Sequence, residues 1–425
     1  MTDHNATGSS RKRLIAATTK VVVIGGGYSG VIAANHLRVN GDVAITLINP
    51  RPQFVERIRL HQLVTGSDDA VVDYADVLGA DIRLLVDTAE RIDAPARTVT
   101  LGSGGTIGYD YLIYAVGSTG AALTVPGAAE FAYPISEFEH AERLRAAVVD
   151  VHPAAPVTVV GAGPTGIETA AELAEQGRAV TLVCGSVLGP YLSTPGRRSV
   201  ARRLAKLGVT VLDGPGATVT AVREDTVVLS DGRELPSVIT IWTAGFGVPD
   251  LATRSGLRTD ATGRLLTDET LTSVDDPHIV AAGDAAAPSD LALRMSCQAA
   301  MPLGAQAANT VLSRIAGTEP AVLNQAFTGQ CVSLGRHGAT IQLARSDDSA
   351  LPLYVGGRAA ATIKEAVCKG TIWGLAREAR KPGSYFWFKG GKRAERLAEA
   401  EVAPGAARPA TSDSAARPAT SDSVE

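Results

Sequence analysis

Two glycine-rich turns hold the residues most able to do chemistry in this 425-residue chain: Gly25-Gly26-Gly27-Tyr28-Ser29-Gly30 and Gly161-Ala162-Gly163-Pro164-Thr165-Gly166. In each, the first glycine (Gly25, Gly161) permits a sharp turn and the second (Gly27, Gly163) lets the backbone approach a pyrophosphate. The third (Gly30, Gly166) lets a helix pack closely on a strand. Each turn follows a short run of apolar or β-branched residues, Val21-Val22-Val23-Ile24 and Val157-Thr158-Val159-Val160, the composition of a parallel strand buried on both faces. The segments beyond, Val31 to Arg38 and Ile167 to Gln176, read as helices whose N-termini face the phosphates. One such turn is a weak signal. Two in one chain imply two nucleotide cofactors and electron transfer between them.

The cysteines narrow the chemistry further. Cys184, Cys297, Cys331 and Cys368 are scattered, with no C-x-x-C and no C-x-x-x-x-C pair, so no dithiol is spaced to relay electrons to a substrate. No metal site is expected, and the sparse cysteines fit a reducing cytoplasm. His61 ends Glu56-Arg57-Ile58-Arg59-Leu60-His61, a basic helix start. It reads either as a proton donor to a bound substrate or as a structural histidine.

A third element assigns the cofactors. His278-Ile279-Val280-Ala281-Ala282-Gly283-Asp284 is an apolar strand ending in Gly-Asp. It resembles the second flavin motif of the two-dinucleotide-binding flavoproteins related to glutathione reductase. Tyr111-Leu112-Ile113-Tyr114-Ala115-Val116-Gly117 and Ile241-Trp242-Thr243-Ala244-Gly245 are similar to the strands by which that family returns from its two nucleotide domains. Within the superfamily, Gly163-Pro164-Thr165-Gly166-Ile167-Glu168 and Trp242-Thr243-Ala244-Gly245 most resemble type II NADH dehydrogenases and apoptosis-inducing-factor-like oxidoreductases.

The resemblance implies FAD on the first turn, contacted by Gly25, Gly27, Tyr28, Ser29, Gly30, Asn49, Arg57, Ala115, Gly117, Gly283 and Asp284. It implies NADH or NADPH on the second, contacted by Gly161, Gly163, Pro164, Thr165, Gly166, Arg197, Ala244 and Gly245. Glu168 is then expected near the nicotinamide and isoalloxazine rings, orienting the nicotinamide or relaying a proton. By residue type alone it equally reads as a first-turn glutamate favoured by the helix dipole. Arg57 and Arg59 are expected to serve the flavin phosphate or an anionic substrate.

Departures from the family pattern carry their own information. Both acidic residues that usually close the second strand of each domain are missing: Asn49 follows Ile45-Thr46-Leu47-Ile48, and Cys184 follows Thr181-Leu182-Val183. Asn49 can still bond a ribose hydroxyl. At Cys184 the loss removes the repulsion that excludes a 2′-phosphate, and Arg197, Arg198, Arg202 and Arg203 follow. These arginines bind such a phosphate or merely cover a solvated helix face. Gln298 matches the first glutamine of the Ala-Gln-x-Ala-x-Gln pattern found near the quinone in type II dehydrogenases, but Pro302 takes the place of the second. The acceptor is therefore a quinone or another small molecule. A helix is expected from Ala305 to Ile315.

The elements that must position these residues give an α/β fold: two Rossmann-like dinucleotide-binding domains arranged as in glutathione reductase, plus a small α+β C-terminal domain. The expected boundaries are 20–151 with 251–320 for a discontinuous FAD domain, 152–250 for the NAD(P)H domain and 321–395 for the C-terminal domain. A disordered lead-in covers 1–19, and a disordered repeat tail covers 396–425, where Ala-Ala-Arg-Pro-Ala-Thr-Ser-Asp-Ser occurs twice. Ile82 to Val86 and Thr98 to Leu101 read as half-exposed strands around a Gly102–Gly105 turn. Cys331 to Leu334 and Ala339 to Leu343 read as a hairpin turning at Gly335-Arg336-His337-Gly338.

Composition excludes several classes. A net charge of −4 and 4% aromatic residues argue against a nucleic-acid platform. No apolar run approaches the roughly 18 residues of a spanning helix, and Met1 to Lys20 lacks the core of a secretory signal. A cytoplasmic protein is expected, soluble or peripheral on the inner face of the cell membrane. The basic aromatic stretch from Arg358 to Arg396, with Tyr385-Phe386-Trp387-Phe388, suits an anionic membrane surface, a homodimer interface or packing on the C-terminal domain. The activity expected is FAD-dependent NAD(P)H oxidation with onward electron transfer. An apoptosis-inducing-factor-like protein of slow turnover is the alternative. A flavin monooxygenase ranks last, because no F-x-G-x-x-x-H stands between the two turns.

Overall fold

A computed structural model describes residues 18–402. Both glycine turns leave the middle strand of a five-stranded parallel sheet. In the first sheet the order is Ile279–Ala281, Tyr111–Tyr114, Thr19–Ile24, Val43–Asn49, Arg83–Val86. In the second it is Ala132–Pro134, Ile239–Trp242, Pro156–Val160, Ala179–Val183, Thr210–Leu212. Strands flank the central one on both sides, which explains its uninterrupted apolar composition: Val21, Val22, Val23 and Val159 are each at most 1% exposed. Such a reversal of strand order opens a crevice at the strands' carboxyl ends.

Close backbone approach shapes both units. A methyl group on Gly30 would overlap the Gly25 carbonyl oxygen, and one on Gly166 would overlap that of Gly161. The helix Tyr28–Leu37, buried along its whole length, packs on the helix Cys297–Ile315. Their contact depends on Gly304, where a side chain would strike the Ser29 carbonyl. The second unit matches this plan with the helix Pro164–Glu175, which carries proline in its first turn, where no hydrogen bond is lost.

Four sequence expectations are corrected. Arg83–Val86 is the edge of the first parallel sheet, whereas Thr98–Leu101 pairs antiparallel with Ala89–Asp93 and Thr106–Gly108; alternation alone cannot tell an edge strand from a hairpin arm. The helix expected from Ala305 begins at Cys297 and runs through Pro302. Pro302 leaves the Gln298 carbonyl without its helical donor, and Gln325 Nε2 supplies one at 2.9 Å. The unit expected to run to residue 151 ends earlier: Ala132–Pro134 is the edge strand of the second sheet, followed by the helix Phe138–Asp150. Finally, residues 393–402 form a helix where a disordered tail was expected from 396. It is anchored by the bidentate pair of Arg393 with Glu269 at 2.8 and 3.0 Å. The repeats and most of the N-terminal lead-in lie outside the described residues.

The C-terminal unit is an antiparallel sheet, Gly329–Ser333, Ala339–Ala344 and Ala350–Gly356, followed by the long helix Gly357–Arg380. Glu378, fully buried near the end of that helix, clamps it to the first unit. Its carboxylate accepts from Gly383 N (2.7 Å), Ser384 Oγ (3.1 Å) and Tyr385 N (2.6 Å), and lies 2.7 Å from His36 Nδ1. Burial works to raise its pKa, but the His36 contact and these donors hold it below the ordinary carboxylate value. A depressed folded pKa means stabilisation that is complete at neutral pH and lost as pH falls through the folded value. Glu378→Ala is expected to destabilise the protein by about 3–5 kcal/mol, measured by denaturant unfolding at pH 7, with the difference from wild type shrinking in acid.

Candidate functional site

At the first turn, Gly25 adopts φ +103° and hands its N–H to the Ile48 carbonyl at 2.8 Å. Nothing stands where a Gly27 side chain would project, so the helix N-terminus is open to a phosphate. Asp284 lies in the turn Gly283–Ala285 after the strand Ile279–Ala281. Its Oδ2 accepts from Ser118 Oγ at 2.7 Å, while Oδ1 is buried without a partner, as are Ser29 Oγ and Tyr28 OH. Buried polar atoms seldom remain unsatisfied. The three orphans, with the open backbone at Gly27 and Gly117, fit the pyrophosphate and hydroxylated chain of FAD.

Two residues expected here do structural work as well. Asn49 ends its strand and braces the turn, accepting from Gly26 N at 3.0 Å and donating to the Arg51 carbonyl at 2.8 Å. Arg57 directs its fork at protein oxygens, donating to Ser118 O (2.6 Å) and Ser118 Oγ (3.1 Å) and to Ser136 O (2.9 and 3.1 Å). It thereby clips the segment after the strand Tyr111–Tyr114 to the segment entering the second unit. Arg59 is caged by Glu56, Gln62 and Glu365, which corrects the expectation that it serves a phosphate or substrate.

At the second turn, Gly161 donates to the Val183 carbonyl at 2.9 Å and a Gly163 side chain would meet Tyr191 OH. Thr165 O accepts from Thr169 Oγ1, and Ala244 O from Trp242 Nε1 at 3.0 Å. Gly245 turns with φ +82°. Arg197 is held by its own loop, donating to Leu188 O at 2.8 Å and Leu192 O at 3.3 Å.

Both turns open into one cavity of about 940 Å³, also lined by Ala115, Glu168, His61, Gln298 and the long helix. Glu168, 6% exposed, accepts from Ser333 N at 2.9 Å and pairs with Lys364 Nζ at 3.2 Å. His61 Nδ1 stands 3.7 Å from it, and His61 Nε2 is buried without a partner. Burial pushes His61 down to about 4 despite the pull of Glu168. Burial also opposes charge on the other two, but their mutual attraction wins: Glu168 is held below and Lys364 above its ordinary value. At neutral pH the cavity wall thus carries a carboxylate, an ammonium and a neutral imidazole. Gln298 sits in the first turn of its helix, with the amide oxygen accepting from Thr328 N (3.1 Å) and the nitrogen donating to Gly329 O (3.0 Å).

Lys364 is the residue that reading the sequence missed, because it sits in a stretch whose net charge reads as surface. A signal was available. Ala360, Cys368, Thr371, Leu375 and Glu378 are the buried residues of this helix, and Lys364 falls on the same stripe. The structure also gathers Cys297, Cys331 and Cys368, distant in sequence, onto the walls of the cavity. Burial raises all three thiols, keeping them protonated.

Comparison with known proteins agrees with this layout. The sequence pattern described as pyridine nucleotide-disulphide oxidoreductase matches residues 19–307. An NADH dehydrogenase-like protein of Mycobacterium tuberculosis is 30% identical over 351 residues, 76% of this chain and 87% of the relative. A type II NADH:quinone oxidoreductase of the same organism is 30% identical over 348 residues, 71% and 74% of the two chains. In fold, the chain is similar to the sulfide:quinone oxidoreductase of Aquifex aeolicus, with TM-score 0.72 and 22% identity, over 90% of this chain and 95% of that one. It is likewise similar to NDH2 of Plasmodium falciparum, with TM-score 0.72 and 15% identity, over 88% and 100%.

The charge assignment is testable. The His61 ring is expected to show no titration by NMR between about pH 5 and 8, the range in which an ordinary histidine changes charge. Because its folded pKa is depressed, the unfolded chain takes up the proton first. His61 therefore costs stability as pH falls from about 6.5 toward about 4, and His61→Gln is expected to flatten that part of the stability profile.

Proposed function

The chain belongs to the pyridine nucleotide-disulphide oxidoreductase family, and on that premise we propose that it is an FAD-dependent NAD(P)H dehydrogenase reducing a lipophilic, quinone-type acceptor. The observation that carries this reading is the convergence of the two glycine-rich turns on one cavity, with Asp284 Oδ1 orphaned beside the first. FAD, when bound, supplies a two-electron carrier between nicotinamide and acceptor. Gly25, Gly27 and Gly30 would receive its pyrophosphate, and Asp284 would accept from a hydroxyl of the chain leading to the ring. Gly161, Gly163 and Gly166 would do the same for the nicotinamide nucleotide. Stacking the reactants in one pocket is the main source of rate, a proximity effect.

The far side of the cavity supports the acceptor assignment. Lys364, fixed by Glu168, presents a protonated Nζ to a site where an acceptor oxygen gains negative charge, and Gln298 lines the same wall. The mouth is apolar: Ile363, Val367, Trp373, Phe386 and Phe388 are 44–74% exposed. Arg377 and Lys389 lie over Trp373 and Trp387. Among the described residues no helix is long and apolar enough to cross a membrane. An aromatic rim with interleaved cations instead suits contact with an anionic membrane surface, from which a lipophilic acceptor enters directly.

Anaerobic stopped-flow tests this reading. Full-length protein with bound flavin is expected to bleach on mixing with NADH or NADPH and to reoxidise with a soluble quinone. Absence of bleaching with both nucleotides would overturn it. Asp284→Ala is expected to purify without flavin. Lys364→Met is expected to retain flavin and nucleotide-driven bleaching but to slow quinone reoxidation on the order of 100-fold, the scale of one lost charge-stabilising donor.

A further inference from the structure

The second nucleotide unit lacks the carboxylate that usually ends its second strand, and the neighbouring strand restores one. The strands Ala179–Val183 and Thr210–Leu212 pair in parallel with Val183 opposite Leu212, so the residues that follow, Cys184 and Asp213, leave the sheet side by side. Three backbone bonds lock the two strand ends together: Cys184 N to Leu212 O at 2.8 Å, Gly214 N to Ser186 O at 2.6 Å, and Gly185 N to Ala217 O at 3.1 Å. Asp213 is exposed there and has no ion pair or side-chain hydrogen bond among the described residues. Its charge reaches the neighbouring thiol, adding to the burial that pushes Cys184 up to about 12. Cys184 is therefore neutral and contributes no charge of its own.

Three of the four arginines that favour NADPH on sequence grounds are engaged elsewhere, and Arg198 is exposed. Arg202 Nη2 donates to Tyr354 OH at 3.1 Å, and Arg203 donates to Glu175 at 2.8 Å and Leu334 O at 3.2 Å. Both are committed to the C-terminal sheet and the second-turn helix, while Arg197 is tied to carbonyls of its own loop. No basic residue stands between Cys184 and Ser193, the loop that follows the strand end.

We propose that Asp213, contributed by the adjacent strand, is the residue that selects NADH over NADPH, bonding the adenosine ribose hydroxyls and repelling a 2′-phosphate. This rests on the reading that the second turn holds the nicotinamide nucleotide. The carboxylate that the sequence pattern demands is present in space, displaced by one strand.

Calorimetric titration of the flavin-loaded full chain with ADP-ribose and with its 2′-phosphorylated form separates the two premises without turnover. Wild type is expected to bind ADP-ribose on the order of tenfold more tightly than the 2′-phosphate, the size of one nearby charge repulsion. Asp213→Asn, which removes charge but keeps an acceptor, is expected to bring the two affinities close together, mainly by strengthening the phosphorylated ligand. Asp213→Ala is expected to weaken ADP-ribose as well. A preference unchanged in Asp213→Asn, or a wild type favouring the phosphate, overturns the assignment of Asp213 alone. Failure of both ligands to bind wild type overturns the nucleotide reading beneath it.

Discussion

The buried contact between Lys364 and Glu168 is the constraint around which the units are arranged. Withdrawing an ammonium and a carboxylate from water costs several kcal/mol per ion, and each holds the other in its charged form. Glu168 belongs to the second-turn helix, its backbone donor Ser333 to the C-terminal sheet, Lys364 to the long helix, and His61 to a segment leaving the first unit. The second-turn helix, the C-terminal sheet and the long helix must all be in place before the pair is satisfied, with neutral His61 packed beside it. The distance from either glycine-rich turn to the far wall of the cavity is thereby set by charge as well as by apolar packing.

Around that pair runs an outer ring of ionic contacts with the same logic. Arg59 of the first unit holds Glu365 of the long helix at 3.0 Å, and Arg336 of the C-terminal hairpin reaches both Glu365 (3.3 Å) and Glu172 of the second-turn helix (3.0 Å). Arg57 joins the backbone at Ser118 and Ser136, and the short pairing of Thr119–Gly120 with Phe246–Gly247 lies between the two nucleotide units. Arginine suits these positions because one planar fork serves two acceptors on different elements. Burial lifts Glu172 to about 7 in spite of Arg336, whereas the Arg59 contact holds Glu365 below its ordinary value.

Much of the fold was legible because its signals are local. Strand, glycine turn and helix are specified within 19 residues, Thr19 to Leu37, and 20 residues, Pro156 to Glu175, and the apolar runs at Val21–Ile24 and Val157–Val160 mark the central strands. What escaped the sequence was set by partners far along the chain. Lys364 reads as surface charge until its helix is docked. Arg59 reads as a phosphate ligand until Glu365, distant in sequence, arrives beside it. The start of the Cys297 helix was hidden by Pro302, whose cost is offset by a side chain from another segment, Gln325. Asn49 illustrates the middle ground: its place at the strand end was plain, but its bracing of Gly26 depends on the folded turn.

The division of labour within the cavity follows chain order. The two glycine-rich turns and the residues around them come from before Ala286, whereas the wall holding Gln298, the thiols, Lys364 and the aromatic mouth comes almost entirely from residues after Leu293. Glu168 and His61 are the cavity's main polar residues that cross this division. Substitutions confined to the last third of the chain therefore reshape the far wall of the cavity without replacing any residue of either glycine-rich turn.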